Sequence, residues 1–179
     1  MSWKIDSAHT LASFTVRHMM ISNVRGEFEK VTGTVDFNEE YPTETTVDVQ
    51  IDVSSINTRD SQRDQHLKSP DFFNIELYPT ISFKSKRVER TGDTSARLIG
   101  DMTIKDITRE VNLDVDYAGL ATSPWGATSA GFTATSKINR KDWDLNWNVA
   151  LETGGWLVGE EIKINIDLEI IKETEAVPA

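Results

Sequence analysis

The sequence predicts an all-β chain, built as a meandering antiparallel barrel or as a two-sheet sandwich. Three observations carry this: apolar and polar residues alternate in most segments, short polar turns separate those segments, and helical period is scarce. The stretch "EIKINIDLEI", residues 161–170, shows the alternation without a fault. Ile162, Ile164, Ile166, Leu168 and Ile170 share one parity, and Lys163, Asn165, Asp167 and Glu169 the other. A strand of this kind has one oily face and one wet face.

Taken in order, a short first strand falls at residues 3–6. Phe14 and Val16 then alternate with Ser13, Thr15 and Arg17. Val31, Gly33, Val35 and Phe37 form the next row, followed by Val47, Val49, Ile51 and Val53. Ile81 and Phe83 follow Pro79; Leu98, Gly100, Met102 and Ile104 precede Val111, Leu113, Val115 and Tyr117. Ala130, Phe132, Ala134, Ser136 and Ile138 make the penultimate row. These rows amount to eight strands beside the short first one. "NEEYPTE", "RTGDTS" and "DIT" between them are short enough for antiparallel neighbours.

Residues 57–79 break the pattern. Thr58 or Asp60 caps a short helical segment around residues 60–68, which Ser69-Pro70 ends. Phe72, Phe73, Ile75, Leu77 and Tyr78 follow as an apolar cluster without strand period, and a connection this long is expected to be a lid or binding loop. A second irregular stretch, 141–159, holds Trp143, Trp147, Trp156 and Gly154-Gly155. The chain reads as one domain over 1–172, with a tail at 173–179 that is expected to fray.

Composition narrows the function classes. A formal net charge of -10 over 179 residues disfavours nucleic acid as a partner. Cysteine is absent, which removes disulfides, thiolate metal sites and cysteine nucleophiles. No apolar run approaches the ~18 residues of a membrane helix. "MSWKIDSAHT" lacks a basic region followed by an apolar stretch, so the expected location is cytoplasmic.

The oily side faces either a packed interior or a guest. Gly33, Gly100, Ala130, Ala134 and Ser136 on inward parities leave volume, although small residues also permit coiling and close sheet contact. A cavity walled by Phe14, Val16, Val49, Ile51, Phe83, Met102, Phe132, Ala134, Ile138, Ile164 and Ile166 suits a hydrocarbon chain. Met19, Met20, Phe72 and Phe73 are candidates for an adaptable lid. His18, Arg59, Arg63 and His66 are candidates for head-group contacts at a mouth beside the helix, with surface pairing along that helix as the alternative for the last three.

His9, His18 and His66 form no His-x-His or HExxH arrangement, so no metal and no cofactor are expected. There is no GxSxG elbow and no glycine-rich phosphate loop, and the acidic pairs fall at turns or on outward parities. An enzyme is therefore not expected. A metal-assisted enzyme on a lipid-like substrate and a ligand-free structural or stress-related protein are the competing readings.

Six fragments in order make the chain resemble the YceI family of lipocalin-like polyisoprenoid-binding proteins. They are "WKIDSAHTLASFTVRHMMISNVRGEF", "SINTRDSQRDQHLKSPDFFN", "YPTISFKS", "GDMTIKDITREV", "GFTATSKINRKDWDLNW" and "VGEEIKINIDLEI". The resemblance implies an eight-stranded antiparallel barrel that holds a long-chain isoprenoid, polyprenyl or quinone-like, with its head nearer the mouth. It also implies a homodimer, since dimers occur in the family. Many members are exported to the periplasm, where this chain departs by lacking a leader.

Overall fold

The computed structural model describes residues 2–173, so all but the first residue of the expected tail at 173–179 lies outside the described residues. Among the described residues there are eleven strands and one α-helix. The strands are β1 (Trp3–Ile5), β2 (Leu11–His18), β3 (Ser22–Phe28), β4 (Val31–Asp36), β5 (Thr46–Asp52) and β6 (Ile56–Asn57). After α1 (Ser61–Lys68) come β7 (Thr80–Arg90), β8 (Ser95–Ile104), β9 (Ile107–Thr122), β10 (Thr128–Asn139) and β11 (Val158–Lys172).

Eight of these strands close into an antiparallel ring, β1-β4-β5-β7-β8-β9-β10-β11 and back to β1. The eight-stranded barrel and its short helix are thus as the sequence implied. The alternation is why the ring can close: each strand turns its apolar parity inward and its charged parity to water. In β9, for example, Val111 and Leu113 are buried while Asn112 and Asp114 are exposed.

Two strands were not expected. β3 pairs with β2 through Phe28, Gly26 and Val24, and β6 adds a two-residue edge to β3. Gly26 interrupts the apolar row of β3 and hides its period, and the gap has a steric cause. A Cβ there would collide with the Phe14 ring and would lie 2.9 Å from Thr58 Cγ2.

Ribbon β2-β3-β6 hangs from one part of β11, because β11 changes partner along its length. Residues from Val158 to Asp167 pair with β2, and Ile170–Lys172 pair with β1. Buried Thr10 fixes the crossover: its hydroxyl donates to Glu169 O at 3.3 Å and accepts from Glu169 N at 3.2 Å. Asp6 N adds a bond to the same carbonyl at 2.9 Å.

The end of the barrel beside α1 is filled. Asp60 caps the helix, accepting from Gln62 N at 3.0 Å and Arg63 N at 3.1 Å. Aromatic rings run Phe14–Phe28–Phe73 at centroid distances of 5.5 and 6.0 Å, and a second cluster has His66 edge-on to Phe72 and Trp147, which meet each other at a tilt. Trp143, fully buried, donates Nε1 to Met102 O at 3.0 Å. Buried Arg140 holds the adjoining loop by donating to the carbonyls of Leu145, Trp147, Gly159 and Val158. Burial pushes its guanidinium below the ordinary range, against a partial opposing pull from Glu160.

Candidate functional site

The other end of the barrel is open. β5 runs from Thr46 at this end to Asp52 at the α1 end, and β7 runs back to Arg90, so the β4–β5 connection and the β7–β8 hairpin meet at the mouth. Below them lies a cavity of about 390 Å³. Its walls come from β4 (Val31, Val35), β5 (Val47, Val49, Ile51), β7 (Ile81, Phe83, Val88) and β8 (Ala96, Leu98, Met102). β9 (Leu113, Val115, Tyr117), β10 (Phe132, Ala134) and β11 (Ile166, Leu168) complete them, with Ala12 and Phe37.

The wall residues of β4, β5, β8, β9, β10 and β11 share the inward parity of their strands, so the cavity is largely the alternation pattern made three-dimensional. Val88 is of opposite parity to Ile81 and Phe83 and faces inward because β7 shifts register between Ser85 and Arg87. Gly100 lies on the same inward row of β8, and its missing Cβ is what lets Phe83 lie across the strand: a Cβ there would be 2.6 Å from Phe83 Cζ. An aromatic collar rings the mouth. Phe37, Tyr117 and Phe132 pack with centroids 5.2–5.5 Å apart, and Trp3 meets Phe37 at 5.6 Å.

A β-bulge continues the wall beyond the collar. Phe132 pairs with Tyr117 but Gly131 pairs with Gly119, so Ala118 is an extra residue on β9. Gly119 carries φ +119°, a conformation glycine adopts without strain. The extra residue flips the parity of β9, placing Leu120 opposite Ala130 on the inner face. β8 pairs β9 only as far as Asp116, so this hairpin overhangs the mouth and carries Trp125, 91% exposed, at its tip.

The rim is polar. Glu39, Glu40, Arg90, Asp93, Thr45, Thr94 and Ser95 line it. Arg90 folds back on its own hairpin, with Nε donating to Gly92 O at 3.0 Å and Nη2 to Asp93 O at 3.4 Å; Asp93 Oδ1 lies 3.9 Å away. Burial, and secondly the charge of Glu39, push the Tyr117 phenol above its ordinary value of 10.0, so it is a hydrogen-bond donor at neutral pH.

Of the residues singled out from sequence, Val49, Ile51, Phe83, Met102, Phe132, Ala134 and Ile166 line this cavity. Phe14, Ile138 and Ile164 belong to the packed core toward the α1 end, and Val16 is half-buried in β2 beyond it. Phe72 and Phe73 are part of the plug rather than a lid over the mouth. Met19 and Met20 form the exposed β2–β3 turn, where Met20 covers Gly155. His18 ends β2, paired with Ser22 and Val158.

The cationic candidates lie at the filled end, away from the mouth. Arg63 donates Nε to Thr58 Oγ1 at 2.9 Å and Nη2 to Thr58 O at 2.6 Å. Asp64 accepts from the Thr58 hydroxyl and from Thr58 N. His66 Nε2 bonds Asp71 Oδ2 at 2.8 Å, and Arg59 is exposed in the turn before the helix. The mouth expected beside α1 is therefore at the opposite pole. Both ends carry aromatic and charged loops, and sequence offers no sign of which loops fold inward.

Among the described residues, Asp6, His9 and Glu169 bring one ligating atom each within 4.8 Å of one another. His9 Nδ1 is already bonded to Asp6 Oδ2 at 2.7 Å, and Asp6 Oδ1 accepts from Ala8 N, so the trio closes the turn at residues 7–9.

Together these features define a closed antiparallel β-barrel with an apolar internal cavity open at one pole. The chain belongs to the YceI family: the model of the YceI-like domain matches residues 3–170. A UPF0312 protein of Staphylococcus aureus is 37% identical over 174 residues, covering 94% of this chain and 96% of the relative. A Campylobacter jejuni YCEI protein aligns with a TM-score of 0.74 at 29% identity, over 88% of this chain and 90% of that one. Burkholderia cenocepacia BcnA shares the fold with a TM-score of 0.79 at 22% identity, covering 92% and 98%. A polyisoprenoid binding domain from Saccharophagus degradans shares it with a TM-score of 0.72 at 11% identity, covering 96% and 98%.

Proposed function

We propose that this protein is a noncatalytic binder of an isoprenoid or similar apolar chain, polyprenyl or quinone-like, held in the upper half of the barrel. The observation that carries this is the cavity: below the rim its walls offer hydrocarbon, aromatic faces and the Tyr117 phenol. Such a surface rewards burial of methylenes at about 0.8 kcal/mol each and gives a sugar or nucleotide little to bond. The fold-level likeness to a polyisoprenoid binding domain agrees with this reading.

Size refines the expectation. With each heavy atom taking somewhat less than the roughly 30 Å³ of a liquid water molecule, about thirteen to twenty fit inside 390 Å³. That is three or four five-carbon isoprene units. A longer chain runs out past the collar along Leu120, on the overhanging face of β9. Extraction of gently purified protein with organic solvent, followed by mass spectrometry, tests the proposal. A stoichiometric apolar compound, rebound by the stripped protein, is the expected result; protein that emerges empty and takes up no added isoprenoid overturns it.

A further inference from the structure

The cavity walls explain affinity for a chain, and the rim bears on what the chain carries at its end. Three carboxylates, Glu39, Glu40 and Asp93, stand at the mouth against one guanidinium, Arg90. Arg90 is committed to the carbonyls of Gly92 and Asp93 and lies 3.9 Å from the Asp93 carboxylate. Among the described residues, neither Glu39 nor Glu40 has a cationic side chain within ion-pair distance. A head group leaving the apolar shaft therefore meets net negative charge at the point where it must become solvated.

Resting on the binding function proposed above, we propose that this rim selects against anionic head groups. The favoured ligands end in a neutral oxygen function or a cation: an alcohol, carbonyl, quinone or amine rather than a phosphate or carboxylate. Neutral oxygens find a donor in the Tyr117 phenol beside Glu39, and a cation finds the unpaired carboxylates. An anion finds neither a free guanidinium nor a lysine among the residues that line the mouth. The charges are exposed, so the discrimination is electrostatic at short range and sensitive to salt.

Farnesol, farnesylamine and farnesyl phosphate share one fifteen-carbon chain that matches the cavity, and their displacement of a neutral apolar dye isolates the head group. At low ionic strength the phosphate is expected to bind about fivefold or more weakly than the alcohol, as like charges a few ångströms apart in water dictate. The gap closes as salt rises to about 0.5 M, where the Debye length is only a few ångströms. In the variant Glu39→Gln/Glu40→Gln/Asp93→Asn the ratio of phosphate to alcohol affinity approaches one, and an unchanged far-ultraviolet circular dichroism spectrum shows that the barrel is intact; a ratio unchanged from the unmodified protein overturns the rim inference. Equal or tighter phosphate binding by the unmodified protein at low salt overturns the rim inference and leaves the chain-binding reading standing. Failure of all three compounds to displace the dye overturns both.

Discussion

Ala134→Trp isolates the cavity from the rest of the barrel. Ala134 lies on the inward row of β10, paired with Val115 and Ile166, and both of those residues also line the space. Tryptophan there adds about nine heavy atoms, each filling somewhat less than the roughly 30 Å³ of a water molecule, so it takes on the order of 150–250 Å³ of the 390 Å³. A guest then loses half a dozen or more buried carbons, on the order of 5 kcal/mol at about 0.8 kcal/mol per methylene. That corresponds to a loss of at least a thousandfold in affinity. Because the indole enters existing space, the strain on folding stays within about 1–3 kcal/mol and the far-ultraviolet circular dichroism keeps its β signature. Thr135→Trp is the control, since Thr135 is exposed on the opposite face of the same strand. Fluorescence or calorimetric titration with farnesol reads the outcome. Binding by Ala134→Trp equal to that of Thr135→Trp would refute the cavity as the site.

Two further expectations concern the frame around the site. Arg140→Met removes this donor from the carbonyls of Leu145, Trp147 and Gly159 at the filled end of the barrel, while Val158 O keeps Asn148 Nδ2 at 2.7 Å. The urea midpoint should therefore fall by the equivalent of about 3 kcal/mol or more; a loss below about 1 kcal/mol would show that the guanidinium is dispensable. His9 is held above its ordinary value of 6.5 by its hydrogen bond to Asp6, then by the charges of Asp6 and Glu169. Its contact with Asp6 therefore contributes fully below pH 6.5, and that contribution is lost as pH rises through the higher folded-state value. An NMR titration of the imidazole should show the elevated value in the native chain and a return toward 6.5 in Asp6→Asn; an unmoved titration would refute the coupling.

The sequence made the barrel legible because its signal is local. A period of two survives wherever one face is buried and the other wet, and β5, β8, β9 and β11 display it over most of their length. It failed at β3, where Gly26 replaces an apolar side chain to make room for Phe14. It failed again past Tyr117, where one inserted residue reverses the parity of β9 and brings Leu120 inward.

The position of the cavity along the axis was not legible at all. Phe14 and Ile164 lie on the same kind of inward row as Val49 and Ile166, yet the first two meet the aromatic plug and the second two meet open space. That distinction depends on which loops fold over which pole. Rim residues such as Glu39 and Asp93 read in sequence only as turn residues; nothing short of the ring's closure brings them together.

Methyl-resolved NMR of the isoleucine, leucine and valine side chains, recorded while farnesol is added, tests the central claim most directly. Val47, Leu98, Val115 and Leu168 should shift, with Ile56 of β6 and Leu67 of α1 unmoved. Shifts gathered around α1, or none anywhere, would contradict an apolar guest held beneath the Glu39–Asp93 mouth.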